Sequence, residues 1–92
     1  MKWIGIREYR NNFGDVSFDK IVIKKSTEQT AYLNQIKYRD IYTVYSYYDI
    51  PDKDNEVNDM TRSWTNSLSS AKRLAMQDTG LKNKDFEWTI VE

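Results

Sequence analysis

The side chains that could do chemistry are narrowed first by two absences. The chain has no histidine and no cysteine, the residues most used as general base, thiolate nucleophile and soft metal ligand. Most hydrolase triads are excluded, and carboxylate or lysine chemistry is what remains. Ser69-Ser70-Ala71-Lys72 has the Ser-x-x-Lys spacing of an acyl-transfer nucleophile, but the companion motifs and large fold which that pattern needs do not fit in 92 residues. The run reads instead as the start of a capped helix with Lys72 in solvent. The expectation is a protein that is not an enzyme and carries no cofactor.

Asp52-Lys53-Asp54-Asn55-Glu56 sets oxygen ligands at alternate positions, as a calcium loop does. Val57 stands where such a loop needs its tight-turn glycine and Ser63 where it needs a bidentate glutamate, so no metal is expected. The same run could act as an acidic finger, with Asp52, Asp54 and Glu56 imitating phosphates on a basic groove. A plain solvated loop is the other reading.

Tyrosine gives the most unusual local pattern: Tyr42, Tyr45, Tyr47 and Tyr48 follow Tyr32 and Tyr38. In a strand, alternation puts Tyr42 and Tyr48 on one face with Val44, and Tyr45 and Tyr47 on the other with Ile41. One helix cannot cover both faces, so some rings should be exposed, either covering a sheet face or forming a partner-binding or self-association surface. Beside Lys24, Lys25, Lys37 and Arg39 they could also stack the bases of a single strand. Lys72 and Arg73, with Lys82 and Lys84, form a second small basic cluster, ordinarily the solvated side of an amphipathic helix.

Net charge is zero but unevenly spread. Residues 1–39 sum to +4, residues 40–59 to −5 and residues 60–92 to +1, so a basic first half meets one acidic segment. A whole-domain basic footprint for nucleic acid is lacking. Hydrophobic residues make up 39% of the chain, enough to offset ordering entropy, and 92 residues allow a single core. The charge at Arg7 cuts the N-terminal apolar run too short for a signal peptide or a span. Without cysteine, the cytoplasm is the expected compartment, with no membrane partner.

The elements that must carry these residues follow from period and punctuation. Residues 3–9 read as a strand with Ile4 and Ile6 inward, closed by a turn at Asn11-Asn12-Phe13-Gly14-Asp15. A second strand runs from about 16 to 25, with a bulge near Asp19-Lys20, before a turn at 26–29. Residues 30–48 have neither Gly nor Pro and exceed an ordinary strand. A tight turn at 37–40 is favoured over one long strand running out past the sheet. Residues 49–59 read as a loop and 60–64 as a short strand. Ser67 caps a helix bearing Leu68, Ala71, Leu74 and Ala75, with Gly80 at its C-terminal stop. Phe86, Trp88 and Ile90 face inward on a last strand.

The segment SWTNSLSSAKRLAMQDTG followed by FEWTIVE resembles one that recurs in small phage-encoded anti-CRISPR proteins built from a curved antiparallel sheet and one helix. The resemblance implies a non-catalytic inhibitor that occupies a CRISPR effector's surface, often its DNA channel, and it draws attention to Lys72, Arg73 and the exposed sheet face.

The fold expected is α+β, a four- to five-stranded antiparallel sheet with one helix on one face. Its core should comprise Ile4, Ile6, Ile21, Ile23, Leu68, Ala71, Ala75, Phe86, Trp88 and Ile90. The expected partner is a protein complex of a bacterial host, contacted through residues 42–48 and the 49–59 loop. A single-stranded nucleic-acid module and a homodimer through the exposed sheet are the alternatives.

Overall fold

A computed structural model of the chain describes residues 1–53, 61–77 and 81–92. Strands β1 (Lys2–Arg10), β2 (Val16–Tyr32), β3 (Gln35–Ile50) and β4 (Thr61–Thr65) precede helix α1 (Leu68–Gln77), a 3-10 turn (Asn83–Asp85) and strand β5 (Glu87–Val91). They form one five-stranded antiparallel sheet in the order β4-β3-β2-β1-β5, and α1 lies on one face. The fold is α+β, as expected.

Register assigns the faces. Trp3, Ile23 and Val44 lie opposite one another across three strands, and with Ile21, Ala71, Ala75 and Phe86 they make the buried core beneath the helix. Ser67 starts that helix as a true cap, since the Ser70 N–H donates to its hydroxyl at 3.2 Å. Ala71 and Ala75 recur at the i, i+4 spacing of one helix stripe. Their small side chains let the helix sit close to the sheet, and the expected stop at Gly80 lies outside the described residues.

Two assignments of facing invert. Ile4 and Ile6 do not point at the helix: Ile4 pairs with Val22 and Ile6 with Lys20, so both lie on the opposite face and are half-buried. Alternation alone cannot choose between Trp3/Gly5 and Ile4/Ile6, and Trp3 wins because its ring reaches across to Tyr42, with centroids 5.7 Å apart. Gly5 completes the inward set, for a Cβ there would stand 3.0 Å from the Trp88 ring. Ile90, expected inward, is 61% exposed, because β5 is the outer strand and the core cluster under α1 reaches no further along it than Trp88.

The turns also move. Residues 26–29 and 37–40 are not turns but lie within β2 and β3. The chain reverses instead at Leu33 and Asn34, with φ of 50° and 63°, the paired left-handed conformation of a two-residue hairpin turn. The register shift foreseen near Asp19 is present between Phe18 and Lys20, yet the extra residue belongs to β3, where Asp49 has φ of 52°. That bulge swings Ile50 round to pair with Phe18 on the face away from the helix.

β2 and β3 therefore outrun their neighbours. The last bond from the first strand to β2 is Met1 carbonyl to Lys25 N–H at 3.1 Å, and β4 stops opposite Tyr42. Residues 26–41 continue alone as a two-stranded arm about 24 Å long, which gives the molecule its 59 × 23 × 22 Å shape.

Candidate functional site

The face away from the helix has an apolar floor and a basic, aromatic rim. Ile4, Val22 and Tyr45 lie side by side across β1, β2 and β3, and Val22 and Ile50 are both buried. On that floor Tyr45 and Tyr47 stand opposite Val22 and Lys20. Lys24 Nζ sits 5.1 Å from the Tyr45 ring centroid and the Arg39 guanidinium 5.6 Å from that of Trp64. Between these pairs runs an open groove of about 540 Å³ with Ser26, Glu28, Thr43 and Tyr45 on its walls. Glu28 is fixed there by Arg39, whose Nε donates to it at 2.6 Å. Further along the same face, beyond the groove, Lys20 donates to the Lys53 carbonyl at 2.9 Å.

The arm is the second part of the surface. Leu33 at its tip is 79% exposed, Ile36 62% and Tyr38 69%. Ile36 pairs with Ala31 and Tyr38 with Gln29, so these apolar groups occupy one face of a ribbon. The other face carries Glu28, Arg39, Thr30 and Lys37. Leu33 has a side chain that its left-handed backbone disfavours by about 1–2 kcal/mol relative to glycine. A large apolar residue held there, in solvent, is the kind of strain that marks a working position.

The residues singled out from the sequence divide between the two faces. Tyr45 and Tyr47 meet on the open face, while Tyr42 is half-buried against Trp3 at the edge of the core. Tyr48 stands next to the bulged residue Asp49 and is 43% exposed. Asp52 is exposed; Asp54 and Glu56 lie outside the described residues. Lys72 and Arg73 ride on the helix, behind the sheet, and Lys72 covers the Trp88 ring at 4.6 Å. Trp88 in turn donates its indole N–H to the Asn83 carbonyl at 3.1 Å.

Leu33, Ile36 and Trp64 escaped the sequence reading. For the first two the available signal was the length of the Gly- and Pro-free tract, which needs one reversal and offers Asn34 as the residue best suited to it. Trp64 could have been found by pairing a short fourth strand against the third.

A third cluster lies at the far end, around the bulge. Asp19 is buried, accepts from Arg7 at 3.2 Å and from the Asp49 backbone N–H at 3.1 Å. Tyr9 donates its hydroxyl to Asp49 at 3.2 Å and lies under the Arg7 guanidinium. Its pKa is pushed up to about 12 by burial first, then by the negative charge of Asp19 and the hydrogen bond to Asp49. These groups satisfy one another and pin the bulge in place. Comparison of the chain with protein-family models, curated proteins and solved structures finds no match.

Proposed function

We propose that the chain is a non-enzymatic inhibitor that binds a protein complex of bacterial defence and blocks its engagement of nucleic acid. The arm carries this reading. An isolated two-stranded ribbon is marginal in water, yet this one holds Leu33, Ile36 and Tyr38 in solvent. Such an element gains most from a protein groove that covers it. The open face beside it offers Tyr45, Tyr47 and Trp64, rigid aromatic anchors suited to protein contact. The likeness of the last third of the chain to small phage inhibitors supplies the class of target.

The test is phage plating on bacteria with active CRISPR immunity, with and without the chain. Expression should restore plaques, and the triple variant Leu33→Ser, Ile36→Ser, Tyr38→Ser should lose the effect while remaining folded by circular dichroism. No restoration against any effector type, or full activity of the triple variant, overturns the reading.

The cation-on-ring pairs Lys24–Tyr45 and Arg39–Trp64 favour a second reading, a platform for single-stranded nucleic acid. Glu28 on the groove wall opposes it, placing a carboxylate where a phosphate would run. Gel shifts at two salt concentrations separate the readings: the nucleic-acid platform requires affinity that falls steeply with salt.

A further inference from the structure

The arm has two long edges, and they differ. Along β3 the outer edge of residues 35–41 reads Gln-Ile-Lys-Tyr-Arg-Asp-Ile, with Lys37, Arg39 and Asp40 guarding it as charged residues guard natural edge strands. Along β2 the outer edge of residues 26–32 reads Ser-Thr-Glu-Gln-Thr-Ala-Tyr. Its one charge, Glu28, is already held by Arg39. Among the described residues no strand pairs with this edge beyond Lys25.

The direction of its free backbone groups follows from one bond. Lys25 N–H points toward β1, where it meets the Met1 carbonyl. By alternation the N–H and C=O groups of Thr27, Gln29 and Ala31 point the same way. Even-numbered residues turn theirs toward β3.

We propose that this β2 edge pairs antiparallel with the same edge of a second copy, about a two-fold axis at Gln29. Gln29 then faces Gln29 of the second copy, and Thr27 faces Ala31. All three outward-facing residues fall into hydrogen-bonded pairs, making roughly six backbone bonds. No like charges meet, since Glu28 falls opposite Thr30. Centring on Thr30 leaves one of these pairs unmade, and centring on Glu28 sets the like charges of the two Glu28 side chains directly opposite each other.

The same register fixes where the tip lands. Leu33 of the second copy comes to the place opposite Lys25 that Met1 now holds, so the register requires Met1 to turn aside toward the adjoining crevice of about 270 Å³ formed by Met1, Lys2, Lys24, Lys25, Val91 and Glu92. Met1 is 54% exposed and Val91 36%, so the exposed leucine at the tip meets apolar groups that are themselves uncovered. A two-fold normal to the sheet leaves both helices on one side and both open faces on the other. The dimer therefore presents two copies of the Tyr45–Trp64 groove together, and it forms whether or not the proposed target is the true one.

Sedimentation of the intact chain from low micromolar to near-millimolar concentration tests the dimer. The mass should rise toward twice 11.0 kDa. Gln29→Pro removes only an outward N–H, and its dimer should be weaker by roughly thirtyfold, two backbone bonds being lost per dimer. Because the chain lacks cysteine, Gln29→Cys gives an independent reading: the facing Cα atoms lie about 5.5 Å apart in such a pair, within disulfide reach. It should cross-link on mild oxidation, whereas Tyr38→Cys on the other edge should not. A monomer at every concentration, a dimer indifferent to Gln29→Pro, or equal cross-linking at both positions overturns the proposal. Since none of these measurements involves a defence complex, failure here is distinct from failure in the plating assay.

Discussion

At Leu33 and Tyr9 single side chains are held in states that ordinary local preference would not choose. Leu33 keeps a φ of 50° that glycine would adopt without strain, so Leu33→Gly should stabilise the hairpin by about 1 kcal/mol. If the tip serves binding, the same variant should bind target less well. A thermal melt beside the plating assay shows whether the two effects separate. Tyr9 is protonated in the folded state up to about pH 12, while in the unfolded chain it ionises near its ordinary value of about 10. Its contribution to stability is fully present below about pH 10 and is lost as pH rises through about 12. Denaturant melts of the wild type and Tyr9→Phe should differ most near neutrality and converge in that alkaline window. Equal alkaline slopes would remove Tyr9 from the bulge network.

At the scale of elements, the five-stranded body and the arm obey different rules. The helix was legible because Ser67, the Ala71–Ala75 spacing and the lack of a breaker all point one way. Ser67→Ala should cost about 1 kcal/mol in a melt, the ordinary worth of a helix cap. Strand facing was less legible. Trp3, Ile4, Gly5 and Ile6 offer two competing inner faces, and only packing against Tyr42 and Trp88 decides between them. The arm was misread because strand length was judged against average strands and because leucine is a poor indicator of a left-handed turn. The tyrosine tract parsed correctly into two faces, but which face the helix would cover was not written in it. Tyr42→Ala should consequently destabilise the fold by about 3 kcal/mol or more, as loss of a ring packed on the core does. Tyr45→Ala, on the open face, should cost less and weaken binding more. A larger loss of stability at Tyr45 than at Tyr42 would place Tyr45 in the core's service.

The whole molecule joins a body that holds itself together to a ribbon that does not. Trp3, Ile21, Ile23 and Val44 lie under the helix, whereas past Lys25 and Tyr42 the described contacts of the ribbon are its own ladder, the Thr30–Lys37 side-chain hydrogen bond, the Arg39 guanidinium near the Trp64 ring and the Glu28–Arg39 and Lys25–Asp40 ion pairs, which in solvent contribute little. Body and arm should therefore be separable. Ser26 and Ile41 face each other across the ladder, so replacing residues 27–40 by Asn-Gly closes the hairpin at that pair with a favoured two-residue turn. The shortened chain keeps every buried core residue, and its melting temperature should fall by no more than a few degrees. It should nonetheless be monomeric at all concentrations and inactive in plating. Unfolding on removal of the arm would mean that the ribbon supports the sheet; retained activity would move the binding surface entirely onto the open face around Tyr45 and Trp64.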